Sequence, residues 1–96
     1  MAEAHGHVEG IHNDHQVTLY ALSTCIWCRK TREFLEAEGI AFDYVYLDLL
    51  EGDELEAARE QVRTWNSRVS FPTLVIDDKV CIVGAKTDDI KEALGL

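Results

Sequence analysis

The feature that most constrains the fold is a pair of cysteines, Cys25 and Cys28, set between a strand-like run and a helix-like run. Residues 17–22 are mostly apolar and have the length of a buried strand. The helical pattern that follows the cysteines ends at Gly39, a residue typical of helix C-termini. The sequence therefore predicts a β-strand, a dithiol turn and an α-helix in direct succession.

The helix start predicts redox chemistry for the two thiols. Unpaired N–H groups and the positive end of the helix macrodipole stabilise a thiolate there, so we predict that Cys25 is the nucleophile. Cys28 returns to nearly the same side one turn later and is the predicted resolving thiol, since a small rotamer change would close a disulfide. Arg29, Lys30 and Arg32 either add positive potential near Cys25 or form solvated helix surface.

The remaining segments predict an α/β fold. They are a strand at residues 41–47, a helix at 53–65, a hairpin of strands at 73–76 and 80–83, and a helix after Gly84. The predicted order is βαβαββα, with a four-stranded mixed sheet and helices on both faces. Residues 16–96 form this domain, and residues 1–15 are predicted to be a flexible His-bearing leader without a hydrophobic period.

Cysteine and histidine usage narrows the functional classes. Three cysteines, an odd number, argue against a secreted disulfide scaffold. Cys81 is either a third redox thiol or, as we predict, a buried structural residue that packs like a small hydrophobe. The four histidines of the leader have no preformed geometry, so we predict no metal site. The sequence shows no recognisable signal peptide and no apolar segment long enough to span a bilayer. We therefore expect a soluble cytoplasmic protein with no membrane partner.

The charge balance bears on partners. A net charge of −9, from 18 acidic and 9 basic residues, argues against a nucleic-acid partner, because phosphate binding requires clustered positive charge. The acidic residues either keep a small protein soluble or form a docking face for a basic redox partner. We expect a monomer.

The single proline gives a second indication of function. Pro72 follows Ser70 and Phe71 and stands directly before the third predicted strand, where a residue without an N–H group is tolerated. Proline chemistry alone favours an ordinary trans bond. A cis bond would instead turn the backbone of Phe71 outward, where it could pair with an incoming thiol peptide as a short added strand.

The stretch from about Gln16 to Leu96 resembles a glutaredoxin, a member of the thioredoxin superfamily. The resemblance is carried by four features: Leu19-Tyr20 before Cys25-Ile26-Trp27-Cys28, Ser70-Phe71-Pro72, the hairpin after it, and Gly84-Ala85-Lys86-Thr87-Asp88. It implies a thioredoxin-like fold, a cis Pro72, attack by Cys25 and resolution by Cys28. We expect substrate contacts from Thr24, Trp27, Phe71, Pro72, Gly84, Ala85, Thr87 and Asp88, with Trp27 either an exposed platform or packed at the core rim.

Three residues at two sites differ from glutaredoxins that use glutathione. Leu22 stands where those proteins commonly have a lysine, and Ile26-Trp27 replace Pro-Tyr between the cysteines. Residues 84–90 also resemble the glutaredoxin-like hydrogen donors of ribonucleotide reductase, which are typically reduced by thioredoxin reductase. We expect no tightly bound cofactor, and either glutathione or a thioredoxin-reductase-type enzyme as the source of electrons.

The preferred function is reduction of disulfide-bearing protein substrates or mixed disulfides by a dithiol oxidoreductase. Two other classes stay open at this stage. One is an iron–sulfur or metal carrier that uses Cys25 with an external thiol, and the other is a non-catalytic thioredoxin-fold interaction module.

Overall fold

The computed structural model describes residues 4–96, which contain five β-strands, three α-helices and a short 3₁₀ helix. In chain order they are β1 His5–Val8, β2 Val17–Ala21, α1 Ile26–Ala37, β3 Phe42–Tyr46, the 3₁₀ helix Leu47–Leu49, α2 Gly52–Trp65, β4 Thr73–Ile76, β5 Val80–Val83 and α3 Thr87–Leu94. Within residues 4–96, no helix has both the length and the hydropathy that crossing a bilayer requires.

The strands form one mixed sheet in the order β1-β3-β2-β4-β5. Strands β2 and β3 are parallel and are joined through α1, whereas β4 is antiparallel to both β2 and β5. The thioredoxin-like fold and the mixed sheet are confirmed. Because β2 lies at the centre of the sheet, its C-terminal end holds the cysteine turn between two neighbouring strands.

The sheet has five strands, so the prediction of four is wrong. The additional strand, β1, lies within the predicted leader and pairs antiparallel with β3, His5 opposite Val45 and Val8 opposite Phe42. The side chains of this segment are also held, since His7 Nδ1 is 2.7 Å from Asp43 Oδ1 and His15 Nδ1 is 2.7 Å from Asp77 Oδ2. Residues 1–3 of the predicted leader lie outside the described residues.

Helices cover both faces of the sheet, as predicted. Under α1 and α3 lies a first core cluster that includes Leu19, Leu35, Phe42, Leu74 and Ile90. Under α2 lies a second, smaller core cluster of Tyr20, Leu47, Ala58, Val62 and Val75. Leu19 and Tyr20 are consecutive in β2 and enter opposite clusters, as the alternation of side chains along a strand requires.

Candidate active site

Cys25 is the N-cap residue of α1. Its backbone is extended, and its Sγ accepts a hydrogen bond from the N–H of Cys28 over 3.3 Å. The preceding turn is closed by a bond from Cys25 N to Leu22 O of 3.2 Å. The half-buried sulfur therefore occupies the position that a serine or aspartate oxygen takes in other helix caps.

Cys28 is the inner thiol of the pair. It is only 2% exposed and belongs to the first core cluster, whereas Cys25 is half-buried at the edge of that cluster. Burial, the hydrogen bond with Cys25 and the charge of Cys25 raise the pKa of Cys28 to about 12. At neutral pH the inner sulfur is thus a protonated thiol, and the two cysteines are chemically distinct.

Cys81, predicted to be buried, is only partly buried on β5, opposite Val75. Burial raises the pKa of its thiol. It lies on the edge strand at the far side of β4 from β2, which carries the cysteine turn. Like Cys25 and Cys28, it is a free thiol.

Asp48 anchors the turn that leads into Cys25. Its Oδ1 accepts from Ser23 N at 2.9 Å, and its Oδ2 accepts from Ser23 Oγ. Burial opposes ionisation of Asp48, but the hydrogen bonds from Ser23 outweigh it, and the pKa of Asp48 is below its ordinary value. The sequence analysis missed this residue. Asp48 could have been found from the sequence, because β2 and β3 are parallel and the polar residues that follow two parallel strands meet at one edge of the sheet.

The loop before β4 contains a cis bond between Phe71 and Pro72, as the family resemblance implies. Asn66 supports this loop through its Nδ2, which donates to Ser70 Oγ at 2.9 Å and to Thr73 Oγ1 at 3.2 Å. The Thr73 hydroxyl in turn donates to Ser70 O at 2.7 Å. Asn66 was also missed, because its role depends on contacts with Ser70 and Thr73 across a loop that has no periodic pattern.

The Gly84 segment begins next to the proline. Gly84 N donates to Pro72 O at 2.9 Å, and Gly84 has a φ of 93°, a conformation that a side chain would strain. Thr87 is the first residue of α3 and Asp88 lies in its first turn. The structure therefore joins Gly84 to Pro72, while substrate contacts of Ala85, Thr87 and Asp88 stay predictions.

The surface around Cys25 is a shallow depression of about 250 Å³. Thr24 and Arg29 line it together with Ser23, Cys25 and Ile26. Trp27 is 56% exposed, so it is not packed into the core, and Lys30 Nζ lies 4.8 Å from its ring centroid. The exposed ring agrees with the platform alternative.

Arg32, one of the predicted cations, is engaged elsewhere. Its Nη1 donates to the Tyr46 hydroxyl at 2.7 Å and its Nε to Glu36 Oε1 at 2.8 Å. Its guanidinium carbon also lies 4.4 Å from the ring centroid of Tyr44. Arg32 therefore fixes α1 to β3, and Arg29 is the cation that lines the Cys25 depression.

A second recess lies beyond Leu22 and is called the apolar cavity below. Its volume is about 360 Å³, and its apolar lining consists of Leu22, Leu47, Leu50, Leu55, Val69 and Phe71. The charged residues in its wall are Asp48 and Arg59. Arg59 Nη1 lies 3.0 Å from Glu56 Oε1 on α2.

A capping cysteine, a buried cysteine one turn later and a cis proline form one site. Comparison of the sequence with known protein families agrees with this arrangement. The sequence profile of the glutaredoxin family matches residues 17–81, which is more than half of the chain. The chain belongs to the glutaredoxin family. This glutaredoxin is 30% identical over 78 residues to an uncharacterized glutaredoxin-like 8.6 kDa protein in the rubredoxin operon of Clostridium pasteurianum, over 81% of this chain and 96% of that protein.

Solved structures agree with the family assignment. The glutaredoxin from Methanosarcina mazei Go1 is 49% identical, with a TM-score of 0.90 over 98% of this chain and 90% of that chain. Methanoredoxin from Methanosarcina acetivorans is 46% identical, with a TM-score of 0.86 over 91% of this chain and 90% of that one. Both matches extend over more than nine tenths of the present chain.

Proposed function

We propose that the protein is a thiol–disulfide oxidoreductase that reduces disulfide-bearing proteins through Cys25 and Cys28. The observation that supports this most directly is the asymmetry of the two thiols. The sulfur of Cys25 is accessible and accepts an N–H bond at a helix start, whereas Cys28 is buried and protonated within reach of it. An attacking thiolate and a resolving thiol need these two environments.

The reaction has two exchange steps. The Cys25 thiolate attacks one sulfur of the substrate disulfide, which forms a mixed disulfide and releases the other sulfur as a thiolate that takes up a proton. Cys28 then loses its proton and attacks Cys25, which forms the Cys25–Cys28 disulfide and releases the second substrate thiol. Two electrons pass to the substrate, and of the two protons that its thiols gain, one comes from Cys28 and the other from solvent.

The raised pKa of Cys28 gives the steps an order. Two of its causes, the hydrogen bond with Cys25 and the charge of Cys25, exist only while the Cys25 sulfur is free. Formation of the mixed disulfide removes the negative charge from Cys25. Ionisation of Cys28 therefore becomes easier at the step in which it must attack.

Substitution of each cysteine tests the proposal. Cys25→Ser should abolish reduction of a protein disulfide such as insulin, while Cys28→Ser should accumulate a covalent mixed disulfide that mass spectrometry detects. Cys81→Ser is the matched control, because Cys81 lies away from the pair on β5, and it should retain activity. Full activity of Cys25→Ser would contradict the proposal.

The proposal also covers the donor that reduces the Cys25–Cys28 disulfide after each turnover. The glutaredoxin family uses glutathione or electrons supplied by a reductase, and Leu22 removes a cation that would pair with a glutathione carboxylate. We therefore expect a reductase-supplied dithiol to reduce the Cys25–Cys28 disulfide faster than glutathione does. The test compares glutathione, thioredoxin reductase with a nicotinamide cofactor, and a ferredoxin-linked reductase as separate donors. Fast reduction by glutathione would contradict the role given to Leu22.

A reducing compartment such as the cytoplasm suits a dithiol that must return to the reduced state. We also place substrate contact at Thr24 and Trp27 beside the cysteines, at the outward backbone of Phe71, and along the segment that starts at Gly84. The position of Thr24 in the Cys25 depression and the exposure of Trp27 support this assignment.

A further inference from the structure

The cysteine turn is anchored from outside its own segment by the carboxylate of Asp48. Strands β2 and β3 are parallel, with Ala21 opposite Tyr46, and Ser23 and Asp48 each follow that pair by two residues. Asp48 Oδ1 accepts from Ser23 N at 2.9 Å, and Asp48 Oδ2 accepts from Ser23 Oγ. One carboxylate therefore holds both the backbone and the side chain of a residue inside the turn.

That turn sets the position of Cys25. Cys25 N donates to Leu22 O at 3.2 Å, and Cys25 Sγ accepts from the N–H of Cys28 at 3.3 Å. Ser23 also lines the depression around Cys25, so a shift of Ser23 would move both the turn and a wall of the depression. Small displacements of an attacking atom slow a reaction strongly, because the atom must be aligned with the bond it breaks. The two bonds to Asp48 therefore bear on attack by Cys25.

Asp48 also places a negative charge near the two thiols. Burial opposes ionisation of Asp48, but the hydrogen bonds from Ser23 outweigh burial and keep the pKa of Asp48 below its ordinary value. Burial is the main cause of the raised pKa of Cys28, and the charges of Cys25 and Asp48 add to it. A fixed anion disfavours a nearby thiolate, so the carboxylate of Asp48 slows reactions of the inner thiol.

Three arginines on the flanking helices could compensate this charge, but none is bonded to it. Arg32 of α1 and Arg59 of α2 are each paired with a glutamate of their own helix. Arg29 of α1 lines the Cys25 depression. Neither Arg29 nor Asp48 belongs to an ion pair within residues 4–96. The charge of Asp48 therefore acts on the thiols without a bonded counter-ion.

We propose that Asp48 is a positioning residue of the dithiol exchange. Its bonds to Ser23 keep Cys25 aligned for attack, and its charge keeps Cys28 from reacting before Cys25 does. This inference rests on the proposed oxidoreductase function and adds a residue to it. The two contributions are separable, since the first needs hydrogen-bonding groups and the second needs a charge. Asp48→Asn can keep both bonds to Ser23 and removes the charge, whereas Asp48→Ala removes the bonds and the charge.

The effect of the charge is tested on Cys28 in protein that lacks the outer thiol. In the Cys25→Ala variant, the rate at which iodoacetamide modifies Cys28 is measured with and without Asp48→Asn. We expect Asp48→Asn to raise this rate about threefold, the effect of removing one partly screened charge, and about 1 M salt should reduce the gain. A turn that had merely loosened would expose Cys28 without this dependence on salt.

Asp14→Asn is the matched control for the charge. Asp14 is exposed and precedes β2, whereas the cysteine turn follows the other end of that strand. The same loss of one charge at Asp14 should leave the Cys28 rate unchanged. An equal gain in the Asp14 and Asp48 variants, a gain that salt does not reduce, or no gain in either would overturn the role given to the charge.

The alignment is tested on Cys25 in protein that lacks the inner thiol. In the Cys28→Ser variant, single-turnover attack on a neutral pyridyl disulfide is followed by the absorbance of the released thione. We expect Asp48→Asn to stay within about twofold of its parent, and Asp48→Ala to react about fivefold more slowly because both bonds to Ser23 are lost. Ser23→Ala, which keeps the backbone bond, should lie between them and provides the test if Asp48→Ala does not fold.

The Cys28→Ser parent separates this inference from the proposed function. If its Cys25 does not react with the disulfide, the oxidoreductase function fails. If the parent reacts, and Asp48→Ala and Ser23→Ala react at the same rate as the parent, the alignment role of Asp48 fails while the oxidoreductase stands.

Discussion

The inner cysteine should resist alkylation while the protein is folded and reduced. With a pKa of about 12, only about one Cys28 in 10⁴ is a thiolate at a pH of about 8, whereas about a quarter of free cysteine is ionised there. The higher intrinsic nucleophilicity of a more basic thiolate recovers part of that difference. Ionisation alone then slows Cys28 by about 50-fold relative to free cysteine.

Burial slows the reaction further, since Cys28 is only 2% exposed. We therefore expect iodoacetamide to modify Cys28 at least about 100-fold more slowly than the same cysteine in urea-unfolded protein. The measurement is a time course at about pH 8, quenched and digested so that mass spectrometry reports each of the three cysteines separately. A Cys28 rate within tenfold of the unfolded protein would refute the argument.

The Cys25→Ala variant separates the effect of Cys25 on the Cys28 thiol from the effect of burial. Cys25→Ala removes both the hydrogen bond and the charge of Cys25, which leaves burial and the neighbouring Asp48 charge to raise the pKa of Cys28. Cys28 should then react faster than in the wild-type protein. Cys81→Ala removes a distant thiol and should leave the Cys28 rate unchanged. If Cys25→Ala does not accelerate alkylation, the proposed order of the two exchange steps loses its basis.

Three further predictions concern the surrounding framework. Asp78→Gly should stabilise the protein by about 0.5 kcal/mol, because Asp77 and Asp78 have φ values of 55° and 52° in the hairpin turn. Asp77→Gly should destabilise the protein, because hydrogen bonds from His15 and Gln16 are lost. Changes of the same sign in the free energy of unfolding of the two glycine variants, measured by urea titration, would contradict the turn assignment. The hydrogen bond with Asp77 raises the pKa of His15 above its ordinary value of 6.5. The His15–Asp77 pair therefore stabilises the fold fully below pH 6.5, and this stabilisation is lost as the pH rises through the raised pKa of His15 in the folded protein. His15→Ala should therefore show a smaller fall in Tm between about pH 6 and pH 9 than the wild-type protein, and identical falls would contradict the pairing. Asn66→Ala should lower the free energy of unfolding by about 1–2 kcal/mol, measured by urea titration, because the proline loop loses the hydrogen bonds of the Asn66 side chain. Asn66→Asp, which keeps only the oxygen that accepts from Arg68 N, should recover part of it.

Much of the fold follows from local pattern. The hairpin of β4 and β5 was predicted, and its strands have the predicted bounds. The helix predicted at residues 53–65 is α2, Gly52–Trp65, which buries Ala58 and Val62. Strand β1 could not be predicted in this way, because His5–Val8 contains a glycine and two histidines and has no buried residue. It is ordered by pairing with β3, far away in sequence.

The site was predictable where it depends on short motifs. The cysteine pair and the cis proline were found because each is a short motif with a defined structural context. The helix pattern was less informative near the site, since it left Trp27 either exposed or packed at the core rim. Trp27 is exposed, whereas Thr31 is fully buried and donates to Trp27 O at 2.9 Å. Asp48, Asn66 and the apolar cavity depend on contacts between separate loops, which hydrophobic periodicity does not encode.

The cap of α1 has a thermodynamic consequence. One sulfur, that of Cys25, both terminates the helix and undergoes exchange. In the proposed reaction, oxidation converts the Cys25 thiolate, which accepts from the Cys28 N–H, into a neutral disulfide sulfur, so that hydrogen bond and the first turn of the helix are weakened. Linkage requires the reverse as well, and any partner or substitution that tightens that turn makes the dithiol harder to oxidise.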